Sequence, residues 1–154
     1  MSGWDISTTR HGYVEPDEVG PILEPVAELR AWIDAARAAG SREANAMCLS
    51  TSSRSRPSSR MVLLRGLDDR GLVFFTSYFS RKGRDLALNP FASALFFWPE
   101  IHRQVCAEGP VEQLTQGESD AYFATRPRGH QLASWASEQL SLIHISEPTR
   151  QAEI

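Results

Sequence analysis

No stretch of the 154 residues approaches the roughly 20 consecutive apolar positions that a membrane-spanning helix needs. Met1 to Asp17 lacks the basic-then-apolar order of a secretory signal. Cysteine is scarce. Cys48 and Cys106 are the only two, and no CxxC pair or His/Cys cluster accompanies them, so no metal centre is expected. Both lie in apolar runs, which predicts buried, reduced thiols and fits a cytoplasmic protein. Positive charge is not in excess: 16 Lys and Arg stand against 19 Asp and Glu, for a net charge of −3. That balance argues against a nucleic-acid binder working through a basic surface. Paired carboxylates and a Ser/His/Asp set are also missing, so no side chain is nominated as catalytic acid, base or nucleophile. What is present is ample apolar material. Hydrophobic residues make up 42% and charged residues 23%, enough for a packed core in one domain.

The first twenty residues are polar and read as an extended arm. From Ile22, apolar residues at Leu23, Val26, Leu29, Trp32, Ile33 and Ala36 follow helical spacing up to Gly40. Ala46 to Thr51 reads as a strand and Thr51 to Pro57 as a turn. Ser59 to Leu67 and Leu72 to Thr76 read as a hairpin around Asp68-Asp69-Arg70-Gly71. Ser80 caps a short helix ending at Asn89-Pro90. Ala92 to Trp98 is an apolar strand, and Arg103 to Leu114 returns beside it. Thr115 to Glu118 forms a capping box for a helix through Ala124. A break at Arg126 to Gly129 precedes a short helical stretch to Ser137. The five strands, mostly antiparallel, point to a small β-barrel with helices outside it.

Four segments could carry chemistry. In Ser80-Arg81-Lys82, two cations occupy the first turn of a helix, against its dipole. A bound anion, most naturally a phosphate, reverses that cost; a solvated basic patch is the other reading. In Arg60-Met61-Val62-Leu63-Leu64-Arg65, strand alternation puts the two arginines on opposite faces, as ligand contacts or as exposed strand ends. Gln104 offers an amide that both donates and accepts, suited to a flavin edge or to the surface. Tyr122 and Arg126, four apart, share a helix face. They could hold a phosphate monoester or form a helix-end salt-bridge site.

In order, RMVLLR, FFTSYFSRKGRDLALNP, HRQVCAEGPVEQL and SDAYFATRPRGHQLASWASEQ strongly resemble the pyridoxine/pyridoxamine 5′-phosphate oxidases from about Ile22 to Gln139. The resemblance implies an FMN-binding split β-barrel, mainly β with flanking helices and Greek-key-like. It further implies a homodimer with FMN between the subunits. The implied activity is oxidation of pyridoxamine or pyridoxine 5′-phosphate to pyridoxal 5′-phosphate, with O₂ as acceptor and H₂O₂ as product. Carried over by position, Arg60, Met61, Val62, Leu63, Leu64, Arg65, Phe75, Thr76, Arg81, Lys82, Gln104 and Gln139 resemble the flavin-binding positions. Arg65, Tyr122 and Arg126 resemble the substrate-phosphate positions. Arg65 stands where many members have Lys, and His130 where a Ser usually contacts substrate phosphate. These departures leave room for another split-barrel flavin oxidoreductase, or for a non-catalytic flavin- or pyridoxal-phosphate-binding module.

Leu140 stands where a Ser follows the flavin-binding Gln, and from there the likeness stops. The expected organisation is an arm over 1–21, a split-barrel domain over 22–139 and an unrelated tail over 140–154. The tail resembles translated sequencing-adapter read-through and is not expected to pack with the domain. It lacks the Trp and the Arg-Leu-His motif that the family carries further on.

Overall fold

The computed structural model describes residues 24–129 and residue 132. The arm, His130, Gln139, the tail and most of the helical stretch to Ser137 lie outside the described residues. The order is α1 (Pro25–Ala38), β1 (Ala46–Ser53), β2 (Arg56–Asp68), β3 (Gly71–Phe74), α2 (Arg81–Leu88), β4 (Phe91–Trp98), a 3₁₀ turn (Pro99–Ile101), β5 (Arg103–Pro110) and α3 (Gln116–Thr125). The strands form one antiparallel sheet in the order β3-β2-β1-β4-β5. It curls into a half-barrel with the helices flanking it. No helix among the described residues is long and apolar enough to cross a membrane.

Period-two alternation decides which side chains meet the core. Met47 and Leu49 of β1, Leu64 of β2, and Ala94, Phe96 and Trp98 of β4 are buried on the concave face. Leu29, Ile33 and Ala36 of α1 pack against them. The Trp98 indole finds its partner by donating to the carbonyl of Ala44 at 2.8 Å. Asn45 accepts from the backbone N–H of Leu64 and donates its side-chain amide back to the Leu64 carbonyl. That double contact fixes β2 beside a register shift between Leu64 and Gly66.

Several boundaries differ from the sequence expectation. The turn expected over Thr51 to Pro57 is only Arg54-Ser55. Pairing continues to Ser53 opposite Arg56, and the two turn residues have φ of 49° and 62°. This is the positive-φ geometry of a two-residue hairpin, which Asn-Gly normally announces; Arg-Ser gives no such signal. β3 ends at Phe74, so Phe75 and Thr76 begin the connection to α2. β5 stops at Pro110, short of Leu114, and proline cannot extend a ladder through its missing N–H.

The cysteines also correct the expectation. Cys106 is exposed and Cys48 only half-buried, both free. They fall on the convex face because each alternates with a core-facing neighbour, Met47 and Leu49 around Cys48, Val105 and Ala107 around Cys106. The strand containing Leu95 separates them. Two interstrand spacings, about 9.6 Å, exceed the reach of a disulfide.

Candidate functional site

Three of the expected residues meet at the start of α2. Ser80 caps the helix, its hydroxyl accepting from the Gly83 N–H at 3.2 Å. The first turn holds no acid, leaving Arg81 exposed and Lys82 half-buried beside open backbone donors. Arg60 comes in from the concave side of β2. Its Nη1 donates to Thr51 Oγ1 at 2.8 Å and to the Leu49 carbonyl at 3.2 Å, and its Nη2 donates to Ser58 Oγ.

One carboxylate answers these cations. Asp85, on the next turn of α2, is buried at 7% exposure. Its Oδ2 accepts from Thr51 Oγ1 at 2.8 Å and Ser58 Oγ at 3.1 Å, and lies 3.9 Å from Arg60 Nη2. The Thr51 hydrogen bond leads in holding the Asp85 carboxyl below its ordinary range, with Ser58, Arg81 and Arg60 adding to it against burial. Burial pushes the Lys82 ammonium down, and the nearby Arg60 charge pushes it further. Burial likewise lowers Arg60, opposed by Asp85 and assisted by Arg81. Three cations thus crowd one helix N-terminus with a single carboxylate among them, the electrostatics of an anion site. A phosphate monoester fits that donor set, and FMN ends in one.

A second grouping joins Phe75 to Tyr122. Their rings stack with centroids 3.7 Å apart and planes 6° from parallel. α3 is held there by its capping box, in which Thr115 and Glu118 satisfy each other's backbone donors. Arg70 of the β2–β3 turn ties in from the sheet, reaching Glu118 at 2.9 Å. Backbone and side-chain hydrogen bonds from Thr115, then Arg70, hold the Glu118 carboxyl down at about 2. Arg126 caps the C-terminus of α3, one turn beyond Tyr122. Phe75 and Thr76 line a cavity of about 720 Å³ on the concave face, with Leu49, Leu86, Ala94 and Val111.

The remaining expected residues lie apart. Val62 and Leu64 pack toward the interior, whereas Leu63, half-buried, and Met61, 64% exposed, fall on the convex face. Arg65 is exposed and lines a shallow groove beside α1 with Arg30, Asp34 and Asn45. Arg60 and Arg65 therefore face different surroundings, as alternation requires. Gln104 is exposed on the convex face of β5, opposite Phe97. Thr51, Ser58 and Asp85 were not anticipated from sequence. Asp85 stands four residues after Arg81, a spacing that shares a helix face, and was the one legible sign. The Thr51 and Ser58 pairing needs the hairpin register to be seen.

A half-barrel of this topology with flanking helices is that of the FMN-binding split barrels. An FMN-binding, pyridoxamine 5′-phosphate oxidase-related protein from Nostoc punctiforme superposes with a TM-score of 0.54 at 17% identity, over 75% of this chain and 63% of that one. PhzG from Burkholderia lata 383, solved with tetrahydrophenazine-1-carboxylic acid, superposes at 0.68 with 28% identity, over 90% of this chain and 79% of that one. The sequence pattern described as pyridoxamine 5′-phosphate oxidase matches residues 33–152, and the chain belongs to that family. It is 50% identical over 128 residues to the pyridoxine/pyridoxamine 5′-phosphate oxidase of Burkholderia multivorans, covering 82% of this chain and 60% of that protein. It is 49% identical over 142 residues to the chloroplastic oxidase 1 of Arabidopsis thaliana, covering 90% of this chain and 27% of that protein. The chain therefore spans less than two thirds of the length of these relatives.

Proposed function

We propose that this chain binds FMN and serves the oxidation of pyridoxamine or pyridoxine 5′-phosphate to pyridoxal 5′-phosphate, with O₂ as acceptor and H₂O₂ as product. The observation that carries the reading is the convergence of Arg60, Arg81 and Lys82 on the N-terminus of α2 around one buried carboxylate. These side chains would hold the flavin phosphate. FMN, when bound, supplies the ring that accepts a hydride equivalent from the substrate. The chain's own part is binding and orientation. Phe75 and Thr76 would border the flavin, and Tyr122 and Arg126 would hold the substrate phosphate at the next turn of α3. Arg65, His130 and Gln139 are assigned to these sites on family resemblance alone.

Oligomeric assembly as a cytoplasmic homodimer belongs to the same proposal. Gln104 projects from the face opposite Arg60, three strands across the sheet, or about 14 Å. One flavin cannot touch both within one chain without passing through the sheet. A second copy packed on the convex face would cover Gln104 and its neighbours there. That face is apolar enough to be covered: Met61, Phe91, Leu95 and Phe97 are exposed on it.

The test is to load the chain with FMN and add pyridoxamine 5′-phosphate in air. Pyridoxal 5′-phosphate and peroxide should form in equal amounts. A second reading, oxidation of a different substrate on the same barrel, is favoured by the likeness to PhzG in complex with a tetrahydrophenazine acid. FMN bound with no turnover of either B6 phosphate would select it, or a non-catalytic binding role.

A further inference from the structure

Asp85 lies behind the cation cluster, and the hydrogen bonds around it run in one direction. A guanidinium can only donate and a carboxylate can only accept. Thr51 Oγ1 accepts from Arg60 Nη1 at 2.8 Å, so its own proton must point to Asp85 Oδ2, also at 2.8 Å. Ser58 Oγ accepts from Arg60 Nη2 and hands its proton to the same Oδ2 at 3.1 Å. Two hydroxyl bridges in parallel thus join Arg60 of β2 to Asp85 of α2. The direct guanidinium–carboxylate approach is longer, at 3.9 Å. Thr51 and Ser58 face each other across β1 and β2, so the bridges are seated on paired strands.

We propose that Asp85 is a positioning residue for the anion site: through Thr51 and Ser58 it fixes the Arg60 guanidinium and docks α2, so that Arg60, Arg81 and Lys82 converge on one phosphate. The inference rests on the reading that FMN phosphate binds at this cluster. It makes a prediction opposite in sign to simple charge counting. Removing a negative charge from beside three cations should by electrostatics alone tighten a dianionic ligand. Losing the bridges should loosen it, because the cations no longer point at one place.

The experiment titrates the 154-residue chain with FMN and with riboflavin, which carries the same ring without the phosphate. Asp85→Asn should weaken FMN by about tenfold, the loss expected for one charged hydrogen-bonded contact, and leave riboflavin within about twofold. Thr51→Val, which keeps the Asp85 charge and breaks one bridge, should shift FMN in the same direction. It serves as the deciding variant if Asp85→Asn does not fold. FMN binding that is unchanged or tighter in both variants would overturn the proposal, as would equal losses for FMN and riboflavin. Arg81→Ala is measured alongside. If it leaves FMN affinity unaltered, the phosphate reading itself fails. If it weakens FMN while Asp85→Asn does not, the positioning role alone fails.

Discussion

Phe75 and Tyr122 stand ring on ring, 3.7 Å between centroids, joining the segment that leaves β3 to the second turn of α3. The stack ties a residue proposed to border the flavin to one proposed to hold the substrate phosphate. Tyr122→Phe keeps the aromatic contact and removes the phenol. It should leave FMN affinity within about twofold and weaken pyridoxal 5′-phosphate binding about tenfold, the scale of one hydrogen bond to a charged group. Isothermal titration with each ligand checks this; equal effects on both would place Tyr122 in the flavin site instead.

Lys82 should make FMN binding sensitive to alkali. Burial and the Arg60 charge lower its pKa below the ordinary lysine value, so the free site loses this cation earlier than an exposed lysine would. A bound phosphate favours the charged form. FMN affinity should therefore be full below the lowered pKa and fall as pH rises through it. In Lys82→Arg, which stays charged, that fall should disappear. Flavin fluorescence titrations from neutral to alkaline pH provide the readout.

The Arg70–Glu118 contact predicts an acid-side effect. The folded-state carboxyl of Glu118 titrates at about 2, against an ordinary 4.5. A depressed carboxylate adds stability above its unfolded pKa and loses it as pH falls toward the folded one. The Tm gap between the parent chain and Glu118→Gln should be constant at neutral pH and narrow progressively below pH 4.5. A gap that stays constant down to pH 3 (an order-of-magnitude bracket between the two pKa values) would assign it to something other than this charge.

Much of this was legible in the chain because it depends on local rules. Ser80 capping α2 and the Thr115–Glu118 box are spacing signals, and both stand as expected. That β4 is a strand was legible from its apolar run, whereas the inward turn of Ala94, Phe96 and Trp98 and the outward turn of Phe97 come from its register with β1. The Arg54-Ser55 turn was not legible, because its positive φ values are imposed by strand pairing rather than by residue type. Cys106 was misplaced for a related reason. An apolar run does not reveal which of two alternating faces meets the core, and its parity follows only from the register with Leu95. The Arg60 environment was half legible: the arginine was visible, but the hydroxyls that hold it come from sheet register and from a helix brought alongside.

The convex face should carry the dimer contact. Phe97 is 65% exposed and stands directly opposite Gln104. Phe97→Glu should give a monomer by sedimentation velocity and lower FMN occupancy with it. A dimer that persists in this variant would move the interface elsewhere.

The central claim is that the α2 cation cluster captures the FMN phosphate, and the ratio of FMN to riboflavin affinity measures it most directly. In the parent chain FMN should bind on the order of a hundredfold more tightly, as expected if two charged contacts to the phosphate each contribute about 1.5 kcal/mol. In the Arg81→Ala, Lys82→Ala double variant that preference should fall at least tenfold, through loss of FMN binding and not gain of riboflavin. Equal affinities in the parent chain, or a preference undiminished by the double substitution, would contradict the account.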